Sequence, residues 1–467
     1  MHSRVLIYAL AATLLAGCAT PPMELPADAM PQAFRQQVSA PVAWPSMDWH
    51  RGFASPELDR LMALAQHDNL DLMAAASRVR QADARARAAG AGILPQVDGT
   101  ANIDRIGGRA NGTTAHETDW SALLSASYEI DFWGKNRAAL NSARLSVVAS
   151  QADRDTVALT TATSVATTYF QLLALREQLI LSRANLKAAT EVLQVIEARF
   201  NAGAATPVEV AAQKAAVANV ALTIAPLEQQ ENDARGALAL LVGRAPEDFT
   251  IVAERLDDLQ IPAIVPGLPA ELLRRRPDIL SAEANLQAAH ADLEAAKAAM
   301  FPSLSLTAGG GLQNPAVQAA VITLEGTGYT FSLGAALMQT IFDGGRNRAV
   351  RDEVEAKQQE LVAAYRSSIL NALLDVESAL SALQHLEAQQ AAQQENITQS
   401  ERAFEGAQLR LRAGAGDYLG VLDAQRTLYA ARDQFSQYRL ARLQASVGLI
   451  KSLGGGWQQP AAVAQSK

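Results

Sequence analysis

Two spacings of apolar positions organise the chain. The first is a heptad. Arg137 to Phe200 is a run of 64 residues without a Pro or a Gly, which as one helix spans roughly 96 Å at about 1.5 Å per residue. In its second half Leu172, Leu175, Leu179, Leu186, Leu193, Ile196 and Phe200 recur in steps of three and four, with Ser182 and Ala189 filling the gaps. This is a seam for packing along another long helix rather than the broad stripe of a compact domain. Arg346 to Arg412 repeats the pattern through Ile369, Leu373, Val376, Leu380, Leu383, Ile397, Phe404 and Leu411, and its only Gly is Gly406.

The second spacing is two. In Trp120 to Phe132, Trp120, Ala122, Leu124, Ala126, Tyr128, Ile130 and Phe132 face one way, and Ser121, Ser125, Ser127, Glu129 and Asp131 the other, with Leu123 the exception. Leu304, Leu306, Ala308, Gly310 and Leu312 alternate with Ser303, Ser305, Thr307, Gly309 and Gly311. Tyr329, Phe331, Leu333, Ala335 and Leu337 alternate with Thr330, Ser332, Gly334 and Ala336. Gln96 to Ile106 is a fainter strand, separated from its neighbour by a Gly/Asn/Thr loop, Gly107 to Glu117. Strands of about ten residues suit a tilted membrane barrel and also a half-buried soluble sheet. The small polar faces favour the barrel.

Helix signals fill the rest. Ser55-Pro56 supplies an N-cap and a Pro at N1 for a helix reaching about Ile93. Thr206-Pro207-Val208-Glu209 supplies a capping box for a helix ending near Val242. The chain then repeats itself. Asn69-Leu70-Asp71-Leu72 returns as Arg276-Pro277-Asp278-Ile279, and Leu94-Pro95 as Phe301-Pro302, both at an offset of 207. Trp133 to Arg137 returns as Gly344 to Arg348, and Ala202-Gly203 as Ala413-Gly414, at 211. Ordered landmarks at a fixed offset mark a duplication. The expected organisation is a signal peptide over 1–17, an extended arm over 18–54, a first repeat over 55–243 and a connector over 244–268. A second repeat over 269–453 and a tail over 454–467 come after it. The strands are placed at about 96–106, 118–132, 303–312 and 328–339, and the long helices at about 137–200 and 346–412.

Composition narrows the function. A net charge of −8 gives no basic footprint for nucleic acid. His290 and His385 are isolated, Arg274-Arg275-Arg276 reads as a solvated helix face, and no catalytic constellation emerges, so no enzyme and no cofactor are expected. No continuous run of 18 apolar residues predicts a membrane-spanning helix. The only Cys closes Leu15-Ala16-Gly17-Cys18 after a short apolar run, a lipobox-like end to a signal peptide. Cys18 would then carry acyl chains, the one covalent addition expected. An ordinary signal peptide with an incidental Cys is the alternative. Four strands cannot close a barrel, and three copies would supply twelve.

Over its mature length the chain resembles the TolC-like, NodT-type outer-membrane factors of tripartite efflux systems. The matching stretches are the lipobox, Trp49…Phe53…Pro56-Glu57-Leu58, Ile130 to Arg137, Ala202 to Val210, Leu272 to Ile279, Leu422 to Arg426 and Leu453 to Trp457. The resemblance implies a mostly α fold with a twelve-stranded membrane β-barrel shared by a homotrimer, and a periplasmic helical tunnel. It implies a periplasmic adaptor and an inner-membrane pump of the RND class as partners, with outer-membrane lipid around the barrel. It also places closure at the periplasmic tip. Leu419 would form an apolar ring and Asp423 an acidic one, with Arg426, Arg410 and Arg412 as counter-charges. As plain residues, Leu419 reads equally as packing core, Asp423 as a solvated charge and Asp417 as a helix N-cap. The expected function is a passive exit duct for small toxic compounds. Metal export, type I protein secretion and a non-channel envelope tether are the alternatives.

Overall fold

The computed structural model describes residues 31–35, 44–110, 113–252, 254–313, 323–324, 327–415 and 418–457. The expected signal peptide, Cys18 and Asp417 lie outside these. Contacts divide the chain into two compact units. One comprises Arg78–Gln151 and Ser281–Ser367, and the other Ala29–Ser77, Ala152–Leu280 and Ser368–Lys467, each taken over its described residues. Each unit therefore draws on both halves of the duplication.

The helices in chain order are α1 (Pro56–Asp68), α2 (Leu70–Ala91), α3 (Lys135–Asn201), α4 (Pro207–Leu241), α5 (Leu272–Arg275), α6 (Pro277–Ala298), α7 (Arg346–Arg412) and α8 (Tyr418–Ser452). The single helix expected from Pro56 to Ile93 is two. Asn69 breaks it with extended backbone, its Oδ1 accepts the Leu72 N–H at 2.9 Å, and its Nδ2 donates to the Leu241 carbonyl at 2.8 Å. Asn69 competes for backbone partners as a cap does, which apolar spacing does not register. The repeat breaks at the same place, between α5 and α6 at Arg276.

In the first unit the sheet is antiparallel, in the order β1 (Gln96–Ala110), β2 (Thr113–Ile130), β3 (Ser303–Gln313), β5 (Thr327–Met338), β4 (Thr323–Leu324). The stretch expected as a loop from Gly107 to Glu117 is mostly ladder, with Gly107 opposite His116 and Ala110 opposite Thr113. Backbone pairing extends the hairpin where side chains show no alternation. The other end is shorter than expected. β2 stops at Ile130, so Phe132 is not a strand residue, and α3 starts at Lys135. Asp131 makes this corner by accepting the N–H groups of Asn136 (3.0 Å) and Arg137 (2.9 Å). Asp343 does the same in the repeat, for Gly345 and Asn347, both at 2.9 Å. Trp133 stacks on Phe301 at 4.7 Å and donates to the Pro302 carbonyl at 2.8 Å.

The second unit holds the main core. Phe53, Leu58 and Leu61 of the N-terminal segment pack with Tyr169, Phe170 and Leu172 of α3, Leu238 of α4 and Leu443 of α8. The connector joins this core rather than merely bridging it, through Phe249, Leu256 and Leu259. Glu254 accepts the hydroxyls of Ser55 (2.5 Å) and Tyr169 (2.7 Å), tying the connector to the cap of α1. Ser55 itself accepts the Leu58 N–H at 3.0 Å. The triple arginine is not a solvated face. Arg276 is buried and pairs with Asp278 at 2.7 Å and Asp375 at 3.0 Å, and it donates to the Ser452 carbonyl. Arg275 lies 4.4 Å over the Trp44 ring. Both find partners far away in the sequence, which a local charge run cannot reveal.

The heptad seams sit largely where their spacing puts them. Leu172, Leu175, Leu179, Ala189 and Ile196 of α3 are buried, as are Ile369, Val376, Leu380, Phe404 and Leu411 of α7. Phe200, at the end of the first seam, is exposed. Contrary to the sequence expectation, one helix has the length and composition of a membrane span. This is α4, with a mean hydropathy of 1.3 over its most apolar window and only 11% of that window buried. The expectation failed because isolated polar residues interrupt the run without lowering its average.

Candidate functional site

Two surfaces carry functional geometry, one in each unit. The first is the sheet. Directly opposed residues of an antiparallel pair share a face. Val97 lies opposite Ala126, which lies opposite Ala308, which lies opposite Leu333. Gly99, Leu124, Gly310 and Phe331 form the next such row. This apolar face is bare, with Leu333 83%, Phe331 78% and Val97 66% exposed. The other face carries Asp98, Ser125, Gly309 and Ser332 in one row and Asn102, Ser121 and Gln313 in another. Its apolar exception, Leu123, lies over Gly311, where a Cβ would come within 2.8 Å of Leu123 Cδ2. A sheet with a bare apolar face and a polar face of small side chains suits lipid on one side and water on the other. β3 and β5, 11 and 12 residues long, meet the length a tilted strand needs. Among the described residues the outer edge of β1 is unpaired, and that of β5 is paired only at Thr327 and Gly328.

The second surface is the pair of helical hairpins, α3–α4 and α7–α8. Thr206 caps α4, with its hydroxyl accepting the Glu209 N–H and the Glu209 carboxylate accepting the Thr206 N–H. These bonds hold the Glu209 carboxyl below the ordinary carboxylate range. Arg199 donates to the Leu411 carbonyl and to the Ala204 carbonyl, both at 3.3 Å, which sets the two turns side by side. Beneath them Val192, Ile196, Phe404, Leu411, Tyr418, Val421, Leu422 and Leu428 make a small core.

The gate candidates occupy distinct positions. Leu419 is 67% exposed, so it is not packing core of its own chain. Asp423, one turn on, is exposed on the same helix, and Arg410 and Arg412 are exposed on the last turn of α7. Arg426 lines a cavity of about 590 Å³ between α3, α4 and α8, together with Asn185, Gln425 and Tyr429. Among the described residues no ion pair joins Asp423 to Arg426, Arg410 or Arg412 within one chain. Sequence reasoning missed the buried polar ties. The Tyr418 hydroxyl donates to Gln213 Oε1 at 2.7 Å, and Gln213 Nε2 donates to the Ala189 carbonyl at 2.8 Å. Gln425 donates to the Tyr429 hydroxyl at 2.8 Å, which donates to the Asn185 carbonyl at 3.1 Å. The available signal was a glutamine at nearly the same distance past each turn glycine, Gln213 after Gly203 and Gln425 after Gly414.

A profile of the family described as outer membrane efflux protein matches residues 61–244 and 268–455. The chain belongs to the outer membrane efflux protein family. Family relatives include the pyoverdine export outer membrane proteins OpmQ of Pseudomonas aeruginosa and Pseudomonas putida. The first is 46% identical over 88% of this chain and 87% of that protein, and the second 43% over 95% and 96%. The cation efflux system protein CusC of Escherichia coli K12 is 29% identical over 95% of this chain and 98% of that protein. The solved structure of the outer-membrane channel OprN superposes with a TM-score of 0.86 at 28% identity, covering 95% of this chain and 100% of that one. The open-state MtrE channel of Neisseria gonorrhoeae gives 0.83 at 28% identity, covering 94% and 99%. The fold is thus that of the TolC-like outer-membrane channels, and this family member is the outer-membrane component of an efflux system.

Proposed function

We propose that three copies of this chain close a twelve-stranded barrel that is the exit duct of a tripartite pump. The observation that carries this is the bare apolar sheet face bounded by two open edges. In the hydrocarbon of a bilayer each unpaired backbone group costs several kcal/mol, so the edges must be met by other strands. Another copy offers the right ones, since a β1 edge and a β5 edge are both left over on every chain. The four long helices of each copy line the periplasmic passage, and acyl chains on Cys18 add a surface anchor. A periplasmic adaptor and an RND-class inner-membrane pump supply the cargo. The passage closes at the hairpins, with Leu419 as an apolar ring and Asp423 as an acidic ring held by Arg426, Arg410 or Arg412 of neighbouring copies. Three carboxylates gathered on one axis repel and need such counter-charges. The similarity to OpmQ favours pyoverdine or a compound like it as cargo.

Purified full-length protein is expected to run as a trimer by native mass spectrometry and to conduct in planar bilayers. A monomer without conductance overturns the reading. Leu419→Ala and Asp423→Ala should each raise conductance, and unchanged conductance in both removes them from the gate. Restored pyoverdine export in Pseudomonas aeruginosa lacking OpmQ supports the cargo assignment. Restored cation tolerance in Escherichia coli lacking CusC, without pyoverdine export, would replace it.

A further inference from the structure

The exposed side of α4 is itself a heptad seam. Val208, Ala211, Ala215, Ala218, Leu222 and Ala225 recur in steps of three and four, and all are exposed, Val208 by 76% and Leu222 by 72%. The opposite face of the helix is already engaged with α3 through Lys214–Glu197, Arg183–Glu228 and Arg176–Glu231. Ion pairs flanking the helix make it a poor partner for lipid, so its apolar side calls for another helix.

The structure contains a matching face. Hydrogen bonds and ion pairs link α3 with α4, α3 with α8, α8 with α7, and both hairpins at their turns. Among the described residues none links α4 with α7, so these two helices form the flanks of the four. On the free side of α7, Ala392, Glu395, Gln399, Arg402, Gly406 and Leu409 also recur in steps of four and three. Val208 stands as far past Gly203 as Leu409 stands before Gly414. The same equality pairs Ala211 with Gly406, Ala218 with Gln399 and Leu222 with Glu395. α4 leaves the turns and α7 approaches them, so the two faces meet antiparallel and in register. Gly406 supplies a separate observation. It sits inside a long helix, where Gly is disfavoured, yet a Cβ there would meet nothing within 4 Å in its own chain. A helix from another copy, arriving at Ala211, accounts for the missing side chain. Charge agrees, because the basic last turn of α7, Arg410 and Arg412, lies level with Glu209 in the first turn of α4.

We infer that α4 of one copy packs antiparallel against α7 of the next, with Ala211 seated on Gly406. The inference rests on the trimeric reading above and specifies its helical contact. The test uses the full chain in membranes with paired cysteines, Ala218→Cys with Gln399→Cys, against the out-of-register pair Ala211→Cys with Glu395→Cys. Oxidation should convert most of the first variant into covalent dimers and trimers, and little of the second. A trimer by native mass spectrometry without cross-links in the first pair overturns this inference and leaves the trimer standing. A monomer throughout overturns both. Gly406→Ala should leave the trimer population nearly unchanged and Gly406→Trp should deplete it at least tenfold. If both variants assemble like the parent, Gly406 is not a contact and the register is wrong.

Discussion

The α3–α4 and α7–α8 hairpins turn through the same backbone. Gly203 and Gly414 take φ of +75° and +72°, and the Ala204 and Ala415 N–H groups reach back to the Arg199 and Arg410 carbonyls at 2.8 and 3.0 Å. This is the same left-handed C-cap used twice. The two hairpins differ in how the next helix begins. The first restarts with Thr206-Pro207-Val208-Glu209 and a complete capping box. The second restarts at Tyr418, which is buried and bonded to Gln213 of the first hairpin. One restart is fixed by its own side chains, whereas the other is fixed by its neighbour. A duplicated unit has thus divided its tasks, with an autonomous hairpin holding a dependent one. In the proposed gate the dependent hairpin carries Leu419 and Asp423.

The contrast can be broken by removing either support. The largest effect is expected from Tyr418→Ala, which empties a buried aromatic site at about 3–5 kcal/mol. Hydrogen exchange should show fast opening across the start of α8 while the start of α4 stays protected. Tyr418→Phe should cost only about 1 kcal/mol, the net worth of one hydrogen bond. Gln213→Leu ranks next. It strands a buried carbonyl and a buried hydroxyl, at about 1–3 kcal/mol, and should loosen both hairpins because Gln213 serves both. Thr206→Ala should cost about 1 kcal/mol and loosen α4 alone.

The smallest effect comes from pH. Glu209 titrates lower in the folded chain than in the unfolded one. Its contribution is therefore complete above the ordinary glutamate value of about 4.3 and is lost as pH falls through the depressed value. Exchange at Thr206 to Val210 should quicken below about pH 4, and the turn at Gly414 should not follow it through this group. Equal acid sensitivity at both turns would erase the proposed asymmetry.

Spacing disclosed the long helices, the alternating strands, the duplication and the capping box, because each is a local property of the chain. It failed at three kinds of place. Asn69 splits a helix by bonding its own backbone, although the apolar count continues past it. The Gly107 to Glu117 stretch pairs through peptide groups that composition does not display. Arg276, Gln213 and Tyr418 find partners remote in sequence, so nothing beside them signals burial. The exposed positions of Leu419 and Asp423 fit a role beyond their own chain, whereas their counter-charges are not met within it.

The open strand edges also bear on biogenesis. A lone copy entering lipid would bring two rows of bare peptide groups into oil, and a pair of copies would still bring two. Only the closing copy removes them all. Membrane entry and ring completion are therefore one event, and its yield should rise more steeply than linearly with the number of chains waiting in the periplasm.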